Sequence, residues 1–470
     1  MTAPPVPESL KRNPRLGQWL GVGVDGRIRA YSGKVDIGQG ISHALRLIVA
    51  DELRVAPAQV EMVRASTATS PDEAVTSGSL SIQHSGAALR FAAAHLRELC
   101  RRRCAQSCDA QPEAVRLENG TFSVDGTEFQ AGYLHLVDDA MLAASVDPSC
   151  LLPRRAKHAA RGDMPRPDIE QKVFGQFEYI NDMVLPDMCV GQVFRPKTLD
   201  AQVDESSAQR LQQELARLPG VVEVVRDGVL LGVLAESEHV LAHAGKKVLA
   251  AELWRGAAQV PGANGISEWL KSQPLDTSVV LDQRREAATQ PARIFRAEFE
   301  RPYLQHASLG LSCAIAQWTE GALRAWSHSQ GIFNLRRDLA LAFGLPADAV
   351  MVTHCDGAGC YGHNGADDVA FDAAWLARHA SGRPVKVQWT RQAEMANSPL
   401  GAAMTVAVEA GVDAQGNLLS QGSALIRLLA HTAMGFVPFL PLLDLLWPLW
   451  DERRQTLHDK AVGCYVVVNR

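Results

Sequence analysis

Two segments of this 470-residue chain, 291 positions apart, are near copies of each other. In the first, Gln39-Gly40-Ile41 opens a helix-like stretch that leads to VAPAQVEMV at 55–63; in the second, Gln330-Gly331-Ile332 opens another that leads to LPADAVMV at 345–352. The glutamine precedes its proline by 18 residues in one copy and 16 in the other. Each copy therefore predicts a strand, a Gln-Gly turn, a helix, a proline-containing turn and a second strand. One reading is chance similarity of two helix–turn–strand units. The other is a duplicated unit that presents two glutamines and two turns to one shared site, with each following glycine letting backbone approach a ligand closely.

The rest of the chain predicts a multidomain α+β protein. Alternation around Asp25-Gly26 marks a hairpin at 19–35. Leu45, Ile48, Val49 and Leu53 recur at helical spacing from Ser42 to Arg54, Pro57 ends that helix, and Val60–Val63 is strand-like. An Ala/Leu-rich helix is expected from Ser81 to Cys108, and Asn119-Gly120 and Asp125-Gly126 mark turns between short strands. The expected organisation is an N-terminal segment at 1–150, a Pro/Arg/Lys-rich linker at 151–173 and a small α+β domain at 174–255. A linker at 256–293, a further segment at 294–420 and an atypical tail at 421–470 complete it.

With 47 Lys+Arg against 52 Asp+Glu, the net charge of −5 and the lack of a basic run longer than Arg101-Arg102-Arg103 argue against a nucleic-acid partner. Nine scattered cysteines form no CxxC pair, haem attachment or zinc quartet, which favours a reducing compartment. Cys100, Cys104 and Cys108 share one helix face and are expected to pack against a core. The first twenty residues have no continuous apolar run, so a cytoplasmic location is expected. The apolar stretch from Met434 to Trp450 carries Asp444 and prolines at 438, 441 and 448, and is not expected to span a membrane.

Two loops could carry chemistry. Residues 354–365 place glycines 357, 359, 362 and 365 between a strand and an Ala-rich helix, a geometry that suits a phosphate or pterin, or merely a tight turn. Thr76-Ser77-Gly78-Ser79 leads into the long helix and could bind a ligand or simply cap that helix. His306, His354 and His363 flank these segments without metal-ligand spacing and are expected to be hydrogen-bonded structural histidines. No GxSxG or HExxH motif is present.

Five ordered motifs carry a family resemblance: GKVDIGQGISHALRLIVADEL, TSGSLSIQHSGAALR, RPYLQHASLG, SHSQGIF and GAGCYGHNGADDVAFDAA. Together they resemble the molybdenum-binding large subunit of the xanthine dehydrogenase/aldehyde oxidase family, in the isoquinoline 1-oxidoreductase or nicotinate dehydrogenase arrangement. In that arrangement a cofactor-binding segment stands at the N-terminus, as 1–150 does here. The resemblance extends over about 10–420, with 174–255 similar to the family's α/β hammerhead domain. It implies that Gln330 contacts a molybdenum oxo ligand. It also implies that Gly359, Cys360, Tyr361 and Gly362 lie against the molybdenum and pterin, with Tyr361 in the place of the usual Phe. Gln39 and Gly40 would contact the pterin, and Thr76, Ser77, Gly78 and Ser79 would line the cofactor and substrate pocket.

The reaction implied is hydroxylation of an N-heterocyclic or aldehyde carbon with oxygen from water. The cofactor is a molybdopterin, with the cytosine dinucleotide form left open. Electrons would leave through a small ferredoxin-like [2Fe–2S] subunit, with a cytochrome c or a separately encoded C-terminal half as further candidate partners. The family's glutamate base has no counterpart here, and none of Asp356, Asp367 and Asp368 matches it. Similarity stops near Leu419, and the Leu-rich tail suggests a frameshifted or early ending. That ending, in turn, admits an inactive remnant as the alternative to an enzyme.

Overall fold

The structure, a computed structural model, describes residues 5–151, 165–196, 198, 201–256, 265–274, 291–357, 359–362, 367–416 and 418–420. The chain divides into two units, Met1–Ala258 with His306–Pro399, and Gln259–Gln305 with Leu400–Arg470.

The first unit begins with α1 (Glu8–Arg12), the antiparallel strands β1 (Leu20–Val22) and β2 (Ile28–Ala30), and α2 (Ile41–Leu53), which returns the chain to β3 (Val60–Met62) parallel to β2. Leu45, Val49 and Leu53 recur on the buried face of α2 and pack against α3 (Ala87–Ser107). A π-turn at Ile82–Gly86 precedes α3, where the sequence predicts continuous α-helix; a Cβ at Gly86 would stand 3.0 Å from the Ile48 side chain, a tight fit. Cys100 and Cys104 are buried in this core, and Cys108 closes the helix. The small sheet of β4 (Val115–Glu118), β5 (Thr121–Val124) and β6 (Gln130–Gly132) and the short helices α4 (Tyr133–Leu136) and α5 (Asp139–Ala143) follow.

Within the expected linker at 151–173, Pro167–Val173 forms α6. Pro167 at the first helical position and acidic residues in the first turn favour a helix start, which outweighs the polar, proline-rich composition.

A seven-stranded mixed sheet forms the centre of this unit. It takes in β7 (Cys189–Phe194), β9 (Val221–Asp227) and β10 (Leu230–Ala235), while β8 (Gln202–Val203) pairs apart with β11 (Trp254–Arg255). Helices α7 (Glu205–Ala216) and α8 (Glu238–Ala250) cover one face through Leu231 and Val233. In the second unit, α9 (Ile266–Ser272) lies in the expected linker at 256–293 and β12 (Arg293–Arg301) pairs along nine residues with a later strand.

Back in the first unit, the sheet continues through β13 (Cys313–Thr319) and β14 (Ala322–Ser327), and α10 (Ile332–Phe343) crosses over to β15 (Val350–His354), parallel to β14. Helix α11 (Asp368–Ala377) covers the other face, and β16 (Val385–Gln388) completes the order β15-β14-β13-β16-β7-β10-β9. Glycines make that face flat enough: a Cβ at Gly191 would lie 2.5 Å from Leu376, and one at Gly232 would lie 2.8 Å from Trp375. Helix α12 (Arg391–Asn397) ends the unit. Strands β17 (Met404–Val412) and β18 (Leu418–Ser420) complete the β12-β17-β18 sheet of the second unit.

Both near-repeats thus form strand–helix–parallel strand units, β2-α2-β3 and β14-α10-β15. Both helices end in a left-handed residue, Arg54 and Gly344. The segment after β3 is stitched to the edge of β15, with Thr67 N donating to Val352 O at 2.9 Å and His354 N to Ala65 O at 2.8 Å. No helix of the described residues is long and apolar enough to cross a membrane. His363, the stretch 434–450 and the tail 421–470 lie outside the described residues.

Candidate functional site

The turns entering α2 and α10 and the loop entering the long helix meet through one line of hydrogen bonds. Gln39 Nε2 donates to Val35 O at 2.9 Å, and Val35 N donates to Thr76 Oγ1 at 3.0 Å. Thr76 N donates to Gln330 O at 2.8 Å, and Gln330 Nε2 donates back to Thr76 O at 2.9 Å. Thr76, buried, is the junction. The two glutamines of the repeat are not used alike. Gln39 folds over its own loop, its Oε1 accepting from Ile37 N at 2.7 Å, whereas Gln330 reaches across to the loop entering α3.

Backbone conformation explains the glycines at two positions. Gly40 has φ +73 and is pressed against the Arg166 guanidinium, 2.6 Å from where a Cβ would stand. Gly38 has φ +102 with no atom within 4 Å of that point, so its backbone faces open space. Because Gly40 offers α2 no side-chain cap, Asp36 supplies one: its carboxylate accepts from Ile41 N at 2.9 Å and Ser42 N at 3.1 Å. Ser77, Gly78 and Ser79 are exposed, and Ser79 is itself left-handed at φ 56.

Beneath these loops lies a buried polar cluster that sequence reading did not mark. Lys34 Nζ donates to Glu73 O and Val75 O, both at 2.8 Å. Glu73 Oε2 accepts from Gly33 N at 2.9 Å, Ser85 Oγ at 2.9 Å and Ser32 Oγ at 3.2 Å. Burial lowers the Lys34 pKa, and the neighbouring Glu73 and Asp72 carboxylates oppose that shift. A lone lysine and a lone glutamate form no motif in the sequence. Only the tertiary contact between the 32–35 and 73–76 segments buries them.

His354 is a structural histidine, as expected. Its Nδ1 lies 3.1 Å from Ser329 O and its Nε2 lies 2.9 Å from Asp36 O, so it bridges the two repeat loops, and burial lowers its pKa. Within the glycine loop, a Cβ at Gly357 would stand 2.5 Å from His328 Cβ. Gly359 and Gly362 are left-handed, at φ +81 and +102. Cys360 is half-buried and Tyr361 exposed, while the exposed His306 ring lies 3.3 Å from a Cβ position on Gly362. The Gly359–Gly362 turn is not hydrogen-bonded to the Gln39 or Thr76 loops among the described residues. Near its start, Lys172 of α6 stands 3.4 Å from Asp356 and 2.9 Å from Asp168.

The amides, hydroxyls and exposed backbone of these loops are hydrogen-bonding groups, suited to a polar ring system that brings its own metal ligands. Residues 4–179 match the molybdopterin cofactor-binding domain family, and residues 276–427 match a second family of the same description. These matches define a chain built on molybdopterin-cofactor-binding domains. A nicotinate dehydrogenase subunit of Pseudomonas putida is 34% identical over 451 residues, 90% of this chain and 37% of that protein. The gamma subunit of a 6-hydroxypseudooxynicotine dehydrogenase complex of Paenarthrobacter nicotinovorans is 34% identical over 26% of this chain and 15% of its own length. The chain belongs to the molybdopterin-binding large subunits of the xanthine dehydrogenase/aldehyde oxidase family, and spans 37% of the length of the nicotinate dehydrogenase relative.

Solved structures with partial likeness include quinoline 2-oxidoreductase of Pseudomonas putida 86, at 19% identity and TM-score 0.41 over 54% of this chain and 37% of that one. Aldehyde oxidoreductase of Desulfovibrio gigas matches at 16% identity and TM-score 0.43 over 62% of this chain and 38% of that one.

Proposed function

We propose that this chain holds a molybdopterin cofactor for the hydroxylation of an N-heterocyclic aromatic or aldehyde carbon. The observation that carries the reading is the hydrogen-bonded line Gln39–Val35–Thr76–Gln330, which joins three loops that carry the family motifs. The donor chemistry suits the cofactor. Gly38 leaves its backbone open for close approach, Gln39 is held by bonds within its own loop, and Gln330 by a bond to the Thr76 loop.

When bound, the cofactor supplies the centre at which a carbon is oxidised with oxygen drawn from water. The chain's own residues bind and orient. Thr76 holds Gln330 twice, its N–H donating to the Gln330 backbone carbonyl and its carbonyl accepting from the side-chain Nε2, so backbone and side chain are fixed together. Gln39 and Gly40 would contact the pterin, and Gly359, Cys360, Tyr361 and Gly362 would lie against it. Thr76, Ser77, Gly78 and Ser79 border the pocket. A small [2Fe–2S] subunit would take the electrons, and the pterin form, with or without a cytosine dinucleotide, stays open; that both relatives are named as subunits supports partner chains in general.

The test is elemental and pterin analysis of the full chain purified after co-expression with its neighbouring reading frames. About one molybdenum per chain is expected, and Gln330→Ala should lower turnover more than metal content. No molybdenum with every neighbour present overturns the reading.

A further inference from the structure

Among the described residues of the first unit, Glu73, Asp372 and Glu394 are buried carboxylates, and Asp367 has a buried Oδ1. Glu394 accepts from Ser312 N at 3.0 Å and Ser312 Oγ at 3.1 Å. Asp372 is neutralised by Arg195, 2.9 Å away, and accepts from Trp389 Nε1 at 2.9 Å. Glu73 accepts three hydrogen bonds beside Lys34. Among the described residues, Asp367 has no ion pair with a cation. Its Oδ2 accepts from Ser329 Oγ at 3.0 Å, its Oδ1 is buried without a hydrogen-bond partner among the described residues, and the Asp368 and Asp338 carboxylates add repulsion. A carboxylate kept in so poor an environment costs stability, which is a common mark of a group retained for function.

We infer that Asp367 is a positioning residue for Gln330, acting through the Ser329 hydroxyl. A serine hydroxyl has a single proton. By accepting it, Asp367 leaves the oxygen's lone pairs for the N–H of Gly331, which donates to Ser329 Oγ at 3.1 Å. Ser329 N donates in turn to Ser327 Oγ at 3.1 Å, and Ser329 O faces His354 Nδ1 at 3.1 Å. The peptides on both sides of Gln330 are thereby anchored, and Thr76 takes the glutamine itself. Without the Asp367 acceptor the hydroxyl turns freely, the Gly331 bond is shared among orientations, and the Gln330 turn loosens.

The inference rests on the proposed role of Gln330, but its test does not require cofactor. Amide exchange at Gly331 is followed in the cofactor-free full chain by glycine-selective ¹⁵N labelling. Ser329→Ala and Asp367→Ala are expected to speed that exchange by roughly tenfold, the loss of about one hydrogen bond. Asp367→Asn keeps an acceptor oxygen and should restore exchange to within about threefold of wild type. A purely space-filling role would not separate Asn from Ala.

Gly331 exchange unchanged in Ser329→Ala, or equal in Asp367→Ala and Asp367→Asn, overturns the relay. Should Asp367→Ala not fold, Ser329→Ala removes only a hydroxyl and decides the matter with Ser329→Thr, which should restore protection. Absence of molybdenum in the co-expressed wild type would overturn the functional reading while leaving this result standing.

Discussion

Replacing Lys34 with methionine tests whether a buried cation holds the Thr76 loop in place. Lys34 is 5% exposed and Glu73 4%. The ammonium donates to two carbonyls, those of Glu73 and Val75, at 2.8 Å each. Methionine preserves most of the side chain's length but removes the charge and all its donors. Each lost charge-assisted hydrogen bond is worth about 1.5–3 kcal/mol, of which water admitted to the loosened loop recovers part. The Glu73 carboxylate also loses its nearby cation; deleting one member of a buried charge pair costs about 3–5 kcal/mol when the two are in direct contact, and less at this separation.

Together these place the loss for Lys34→Met at about 3 kcal/mol. Urea unfolding followed by the fluorescence of Trp19, buried in the same N-terminal core, should show a lower midpoint at unchanged slope. Adding Glu73→Gln removes the stranded charge while keeping an acceptor for Ser32, Gly33 and Ser85, so the double variant should recover about half the loss. A loss below about 1 kcal/mol, or a double variant worse than the single, would refute the reasoning.

Four further outcomes are expected. Burial raises the Asp367 pKa from 3.8 to about 6, so its ionisation costs the folded state stability that is fully present below 3.8 and lost as pH rises through 6. In urea titrations Asp367→Asn should gain on wild type between about pH 4 and pH 7, by up to about 3 kcal/mol. Gly357→Ala forces a Cβ to 2.5 Å from His328 Cβ and should cost about 1–3 kcal/mol by the same assay. Gly232→Ala meets Leu376 and Trp375 of α11 and should lower the thermal midpoint by a few degrees. Burial pushes the Cys100 and Cys313 thiols up to about 12, so both should resist a thiol reagent at neutral pH until the chain unfolds, as peptide mapping would show.

Local pattern decided most of the elements. The spacing of Leu45, Val49 and Leu53 sets the buried face of α2, and Asp25-Gly26 sets the β1–β2 hairpin, because both signals act between neighbours in sequence. The Gln-Gly repeat announced two strand–helix–strand units, and the structure pairs the strands of each in parallel. Two segments that composition marked as linkers, at 167–173 and 266–272, fold as short helices; both carry acidic residues in the first turn, and the first also has Pro167 at its start.

The candidate site was legible as motifs and not as geometry. Sequence named Gln39, Thr76 and Gln330 but could not show that Thr76 takes Gln330 while Gln39 closes on its own loop. Nor could it bury Lys34 and Glu73, or set Asp367 behind Ser329. The Lys34–Glu73 and Thr76–Gln330 contacts join residues 39 and 254 positions apart, and whether a charged side chain is solvated or buried depends on what the fold brings over it. The sequence by itself determined the elements and the family, because periodicity, caps and motifs are local; the tertiary structure alone decided which polar groups face one another, because that depends on chain segments distant in sequence meeting out of water.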